Sequence, residues 1–128
     1  NNKANNIISL SKTIIKKYRG KIPKEFDLLI KLPGVGKKTA SVYQNVVLKK
    51  PKIAVDTHVF RVSNRLGIVK EKNTDKTQDR LEEIIPSKWK MKAHHFLILH
   101  GRNICKSQKP KCEICKLSSF CDYLSKSF

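Results

Sequence analysis

Leu32-Pro33-Gly34-Val35-Gly36-Lys37-Lys38-Thr39-Ala40 is the stretch on which the reading of this chain turns. Two glycines one residue apart release the backbone from its usual steric limits, so the segment reads as a tight turn. Apolar residues flank it: Phe26, Leu28, Leu29 and Ile30 form a short predicted helix before it, and a second helix is predicted from about Lys37 to Leu48. The turn therefore presents backbone N–H groups at a helix N terminus, where the positive end of the dipole suits a phosphate oxygen. Glycine also removes the Cβ that would hold an anion away. A bare Gly-x-Gly fits many plain helix–helix turns. The apolar helices and basic residues around this one favour binding to a nucleic-acid backbone over a purely structural turn.

Outward from the turn, helical periodicity continues, and no strand-like alternation lasts long enough to compete; the expected fold class is all-α. Ile7, Leu10, Ile14 and Tyr18 recur at helical spacing and stop at Gly20. Downstream, Ile53-Ala54-Val55 leads into Asp56-Thr57-His58, where Asp56 or Thr57 can cap a helix carrying Val59, Phe60, Val62 and Leu66 and closed by Gly67. Residues 70–76 read as a loop. Residues 75–85 read as an amphipathic helix whose Asp75, Asp79, Glu82 and Glu83 are expected to face away from any polyanion. A last helix runs from Ser87 to near Gly101, with Trp89 and Phe96 expected in the core. It also holds His94, His95 and His100. No two of these stand four apart, so a two-histidine metal face is absent and they read as packing or polar-network residues; His58 is placed near the nucleic acid.

The composition points the same way. Over 128 residues, 28 Lys and Arg oppose 10 Asp and Glu, a formal net charge of +18. Such an excess attracts a polyanion through counterion release. A Lys-rich surface from a biased genome would give the same count. Lysine greatly outnumbers arginine, which suits phosphate contacts more than forked base readers. The length fits one domain or part of a larger one. No run of about 18 apolar residues occurs, so no membrane span is expected. No signal peptide opens the chain, and a reducing interior is the expected compartment.

Four cysteines fall in the last quarter as Cys105-x6-Cys112-x2-Cys115-x5-Cys121. Four thiolates this close can wrap one metal centre. One tight pair with two wider gaps suits a cube-shaped iron–sulfur cluster somewhat better than zinc, whose structural sites more often show two tight pairs. Disulfides are the alternative, weakened by the expected reducing compartment. Lys106, Lys109, Lys111 and Lys116 interleave with the cysteines and read as phosphate contacts positioned by the metal centre.

With these pieces in place, the chain resembles the endonuclease III family of helix–hairpin–helix DNA glycosylase/AP lyases over almost all of its length. The resemblance is carried by Leu32–Ala40, by Ile53-Ala54-Val55-Asp56-Thr57-His58-Val59-Phe60-Arg61-Val62, by His94-His95-Phe96-Leu97-Ile98-Leu99-His100-Gly101-Arg102, and by the cysteine spacing. It implies part of a six-helix barrel over residues 1–54, with the helix–hairpin–helix at about 25–48, and a [4Fe-4S] cluster domain over 55–128 with its loop at 105–121. It also implies further helices ahead of the first residue, so that the chain is expected to be a truncated domain.

The resemblance makes Lys38 the Schiff-base nucleophile and Asp56 its catalytic partner. From the residues alone, a lysine at this place more often contacts phosphate. It attacks only as the neutral amine, a form favoured by a helix N terminus, a neighbouring ammonium and partial burial. Related adenine glycosylases keep the aspartate and the cluster but lack this lysine, so Lys38 favours the bifunctional branch. Cys105, Cys112, Cys115 and Cys121 are the implied cluster ligands. Leu32, Gly34, Val35, Gly36, Lys37, Thr39, Lys106, Lys109 and Lys111 are the expected DNA contacts. The expected activity is removal of oxidised pyrimidines and cleavage 3′ to abasic sites by β-elimination. The expected partner is double-stranded DNA with damaged bases or abasic sites, bound by a monomer with no membrane attachment. The setting would be the cytoplasm or nucleoid of a bacterium, or the nucleus or a DNA-containing organelle of a eukaryote. The alternatives are a monofunctional glycosylase on the same scaffold and a non-catalytic DNA-binding fragment.

Overall fold

Helix starts and stops follow the local chemistry in the computed structural model, which describes residues 1–125. The elements in order are α1 (Asn2–Tyr18), α2 (Phe26–Leu29), α3 (Lys37–Val42) continuing into a π turn (Tyr43–Val47), α4 (Thr57–Arg65), α5 (Thr74–Ile84), α6 (Ser87–Asn103), single 3-10 turns at Cys112–Ile114 and Ser118–Phe120, and α7 (Asp122–Ser125). No strand occurs among the described residues, so the all-α class stands. The chain divides into two compact units, Asn1–Lys50 and Pro51–Phe128.

The first unit is built on the hairpin. Leu29, Leu32 and Ala40 are buried, and Leu10, Tyr18, Phe26, Val35 and Tyr43 pack against them. Gly34 has φ +74, and a Cβ there would lie 2.9 Å from Cβ of Asn6, so the turn needs glycine for conformation and for the approach of α1. α1 contributes no buried residue; Ile7, Ile8 and Ile15 are exposed. Its end differs slightly from expectation, since the helix stops at Tyr18 and Arg19 takes the left-handed position ahead of Gly20. The predicted helix 37–48 is present but changes pitch, with Leu48 N–H donating to Tyr43 O across five residues.

The second unit has its own core of Ile53, Val55, Val59, Val62, Val69, Leu81 and Leu97. Each fully buried aliphatic side chain contributes about 1.5–3 kcal/mol. α4 and α6 cross closely at Gly101, where a Cβ would lie 3.0 Å from Cβ of His58 and 3.1 Å from Cγ2 of Val62. That contact also explains why α6 runs past Gly101 to Asn103: the glycine serves the crossing and does not end the helix. α5 starts within the expected loop, at Thr74, because the side chain of Asn73 accepts from Lys76 N–H at 2.9 Å.

Two expectations are corrected in this unit. Trp89 and Phe96 are 49% and 62% exposed, because α6 buries the face of His94, Leu97 and Gly101 instead. Glu82 of the acidic helix has specific partners. Its Oε1 accepts from Ile53 N–H at 2.6 Å and its Oε2 from Lys90 Nζ at 3.0 Å, tying the extended entry 53–55 to α5 and α6.

Candidate DNA-repair site and cysteine loop

The sequence places the two candidate catalytic residues at the beginnings of two helices, one in each unit. Lys38 is the second residue of α3 and is exposed, so the partial burial expected of it is not found. The helix start is open: Gly36 is the N-cap, no side chain caps it, and a Cβ at Gly36 would meet nothing within 4 Å. Gly34, Lys38 and Thr39 are exposed beside it, and Lys37 is half-buried.

Leu32, one of the expected DNA contacts, is packed into the hairpin. Its side chain is 5% exposed, its N–H donates to Leu29 O, and its carbonyl accepts from Val35 N–H. Val35 likewise spends its amide inside the turn and packs its side chain on the hairpin core. Both residues hold the loop in shape so that Gly36 and its neighbours face outward.

Asp56 caps α4 in fact. Its Oδ1 accepts from His58 N–H at 2.9 Å and Val59 N–H at 2.8 Å, and Oδ2 carries neither bond. The carboxylate is half-buried and fixed in orientation by the helix it caps. Just before it, the buried His94 donates Nδ1–H to Ala54 O at 2.8 Å, which anchors the approach to Asp56 on α6. His58 meets Arg61 through Nδ1 at 3.1 Å, and the Arg61 guanidinium also donates to Gly101 O at 2.8 Å and Cys105 O at 3.0 Å.

The cysteine loop follows directly from α6. Cys105, Cys112, Cys115 and Cys121 line one cavity with Leu66, Ile104, Pro110 and Tyr123, and all four are free thiols. Burial pushes the Cys112 thiol up, and Cys105, Cys121, Cys115 and Glu113 add to that in turn. Four thiols lining one cavity suit a cationic centre, which deprotonates its ligands. Arg65 Nη1 donates toward Cys105 Sγ at 3.5 Å, and His100 Nε2 lies 3.6 Å from Cys115 Sγ. Burial lowers the pKa of His100. Four cysteine sulfurs around one cavity fit a thiolate-bound cluster. Lys106, Lys109 and Lys111 all stand exposed on the loop, with Lys109 at φ +47.

Arg61 and Arg65 are the residues that the sequence reading missed. They stand four apart on α4 and are two of only five arginines in a lysine-dominated chain, which was the available signal. Forked guanidinium groups are what a site holding several carbonyls requires.

Residues 1–87 match the HhH-GPD superfamily of base excision DNA repair proteins, and this chain belongs to that superfamily. Residues 105–121, from the first cysteine to the last, match the iron-sulfur binding domain of endonuclease III, whose cofactor here is a [4Fe-4S] cluster. Among similar proteins, endonuclease III of Rickettsia conorii is 52% identical over 123 residues, covering 96% of this chain and 59% of the relative. That of Escherichia coli is 41% identical over 126 residues, covering 98% and 60%. A trapped endonuclease III–DNA covalent intermediate superposes with a TM-score of 0.92 at 44% identity, covering 98% of this chain and 60% of that one. A thermostable thymine-DNA glycosylase gives 0.86 at 28% identity, covering 96% and 58%. The chain thus spans about 60% of the length of the relatives it matches.

Proposed function

We propose that this chain carries the catalytic and cluster-binding part of a base-excision DNA glycosylase with AP lyase activity, acting on damaged or abasic double-stranded DNA. The observation that carries the reading is the pairing of an open, uncapped helix start at Gly36 with an exposed lysine two residues on. A phosphate gripped at residues 34–39 would bring a sugar to that amine.

The chemistry follows from the two side chains. A damaged base must leave the stack before its sugar can be reached. Lys38 Nζ, as the neutral amine, attacks C1′ while the C1′–base bond breaks and the base departs with the bonding pair. Loss of a proton from the attached amine and cleavage of the C1′–O4′ bond, with O4′ taking up a proton, open the sugar to an iminium, which acidifies the C2′ proton. Removal of that proton breaks the C3′–O bond and releases the strand 3′ to the lesion. Asp56 Oδ2, held by the cap on Oδ1, stabilises the positive charge developing at C1′ or assists proton transfer. Cys105, Cys112, Cys115 and Cys121 would hold the [4Fe-4S] cluster, which when bound supplies a rigid staple for the loop. Lys106, Lys109 and Lys111 then meet phosphate. The net charge of +18 drives a salt-sensitive association. Oxidised pyrimidines are the proposed lesions, met by a monomer at the DNA of a bacterial cell.

Borohydride trapping on abasic duplex DNA tests this. The unmodified chain should give a covalent protein–DNA adduct, and Lys38→Gln should lower its yield by about a thousandfold or more while still binding DNA. Salt-sensitive binding without any adduct from the unmodified chain would leave a DNA-binding module only. An adduct undiminished in Lys38→Gln would assign the nucleophile elsewhere.

A further inference from the structure

Arg65, the last residue of α4, touches the cysteine loop at more points than any cluster ligand requires. Its Nη1 lies 3.5 Å from Cys105 Sγ and donates to Lys106 O at 2.6 Å, while Nη2 donates to Ser107 O at 3.0 Å. The guanidinium plane sits over the Tyr123 ring, 4.3 Å from its centroid, and the Arg65 carbonyl lies 3.4 Å from Cys121 Sγ. One residue therefore reaches both the first and the last cysteine of the loop, and holds the backbone of Lys106.

We propose that Arg65 is a positioning residue of the cluster loop, drawing negative charge from the Cys105 thiolate while fixing the Lys106–Ser107 backbone in its DNA-facing conformation. This rests on the reading that the four cysteines hold the cluster. A cluster with four thiolates is negative, and each added electron makes it more so. A cation and N–H donor at a ligand sulfur therefore favours the reduced state and raises the reduction potential. The same fork closes the carbonyls of Lys106 and Ser107, and a lysine ammonium cannot reproduce that planar geometry. The ring of Tyr123 fixes the guanidinium from its other side. Arg61, four residues earlier, binds the Cys105 carbonyl but no sulfur, so the electronic role belongs to Arg65 alone of the pair.

The test compares the cluster-loaded full chain with Arg65→Gln, and uses Arg80→Gln as a control at an exposed ion pair with Glu83. Three quantities are read: the reduction potential, the rate at which visible absorbance is lost to an iron chelator, and DNA affinity. Arg65→Gln should move the potential to more negative values, release iron about tenfold faster and weaken DNA binding. Arg80→Gln should match the parent. An Arg65→Gln protein with parental potential and release rate overturns the proposal. So does faster release at an unchanged potential, which would make Arg65 a mechanical tie only. Should Arg65→Gln not accumulate as folded protein, Arg65→Lys decides on the same readouts, because parental values there show that the fork is dispensable. A parent chain that assembles no cluster removes the cysteine reading itself, and this proposal with it.

Discussion

The two helix starts that carry the proposed chemistry are built in opposite ways. At α3 the chain supplies glycine: no side chain caps the end and open space surrounds Gly36. At α4 it supplies Asp56, whose Oδ1 already takes two amides. The first end is shaped for an outside anion, and the second is closed by the protein's own carboxylate. On the proposed reading, the same backbone feature would grip a ligand in one unit and orient a reactive group in the other. The side chain at the N-cap decides which.

Asp56 offers the largest test of this contrast. Asn caps as well as Asp, so Asp56→Asn should keep thermal stability while slowing lesion cleavage by about a hundredfold. Asp56→Ala should lose both, with a stability cost of about 1 kcal/mol. Equal activity in Asp56→Asn and the parent would reduce Asp56 to a cap. At the other helix start, Gly36→Ala places a methyl in empty space with an ordinary backbone conformation (φ −93°, ψ 177°), so the cost to stability should be only that of the poorer N-cap, about 0.5 kcal/mol. DNA affinity, measured by fluorescence anisotropy, should nevertheless fall about tenfold, since the methyl holds phosphate away from the amides. Unchanged affinity would move the phosphate grip off this turn. Gly34→Ala sharpens the point from inside the same loop. Its positive φ and the 2.9 Å approach to Asn6 predict a loss of about 1 kcal/mol or more in urea unfolding. Two neighbouring glycines should then separate, one by binding and one by stability.

Much of this was legible in the sequence wherever one residue acts alone. Gly34 dictates its turn through its own backbone, Asp56 caps through its own side chain, and the cysteines are set by spacing. What was not legible depends on a second partner. Periodicity gave α6 two apolar faces and could not say that Gly101 would press the face of His94 and Leu97 onto α4, leaving Phe96 outside. Counting acids grouped Glu82 with Asp75, Asp79 and Glu83 and could not show that the N–H of Ile53 and the ammonium of Lys90 claim its two oxygens. Leu32 looked like part of the DNA grip because it adjoins the glycines, and its neighbours Leu29 and Val35 use both of its backbone groups. The π turn after α3 follows no signal that hydrophobic spacing carries. Arg61 and Arg65 were hidden among the lysines because charge counting treats the two residue types alike, although only one of them can fork.

Among the loop lysines, Lys109 stands apart for its backbone. A side-chain-bearing residue at φ +47 sits where the right-handed preference of L-amino acids opposes it by about 1–2 kcal/mol, a penalty that glycine would not incur. Thermostabilising redesign would write glycine there without hesitation. The natural chain tolerates the discomfort, and the exposed ammonium is the only part of the residue that glycine could not supply. A Lys109→Gly exchange should accordingly give a sturdier protein that holds its polyanion less well.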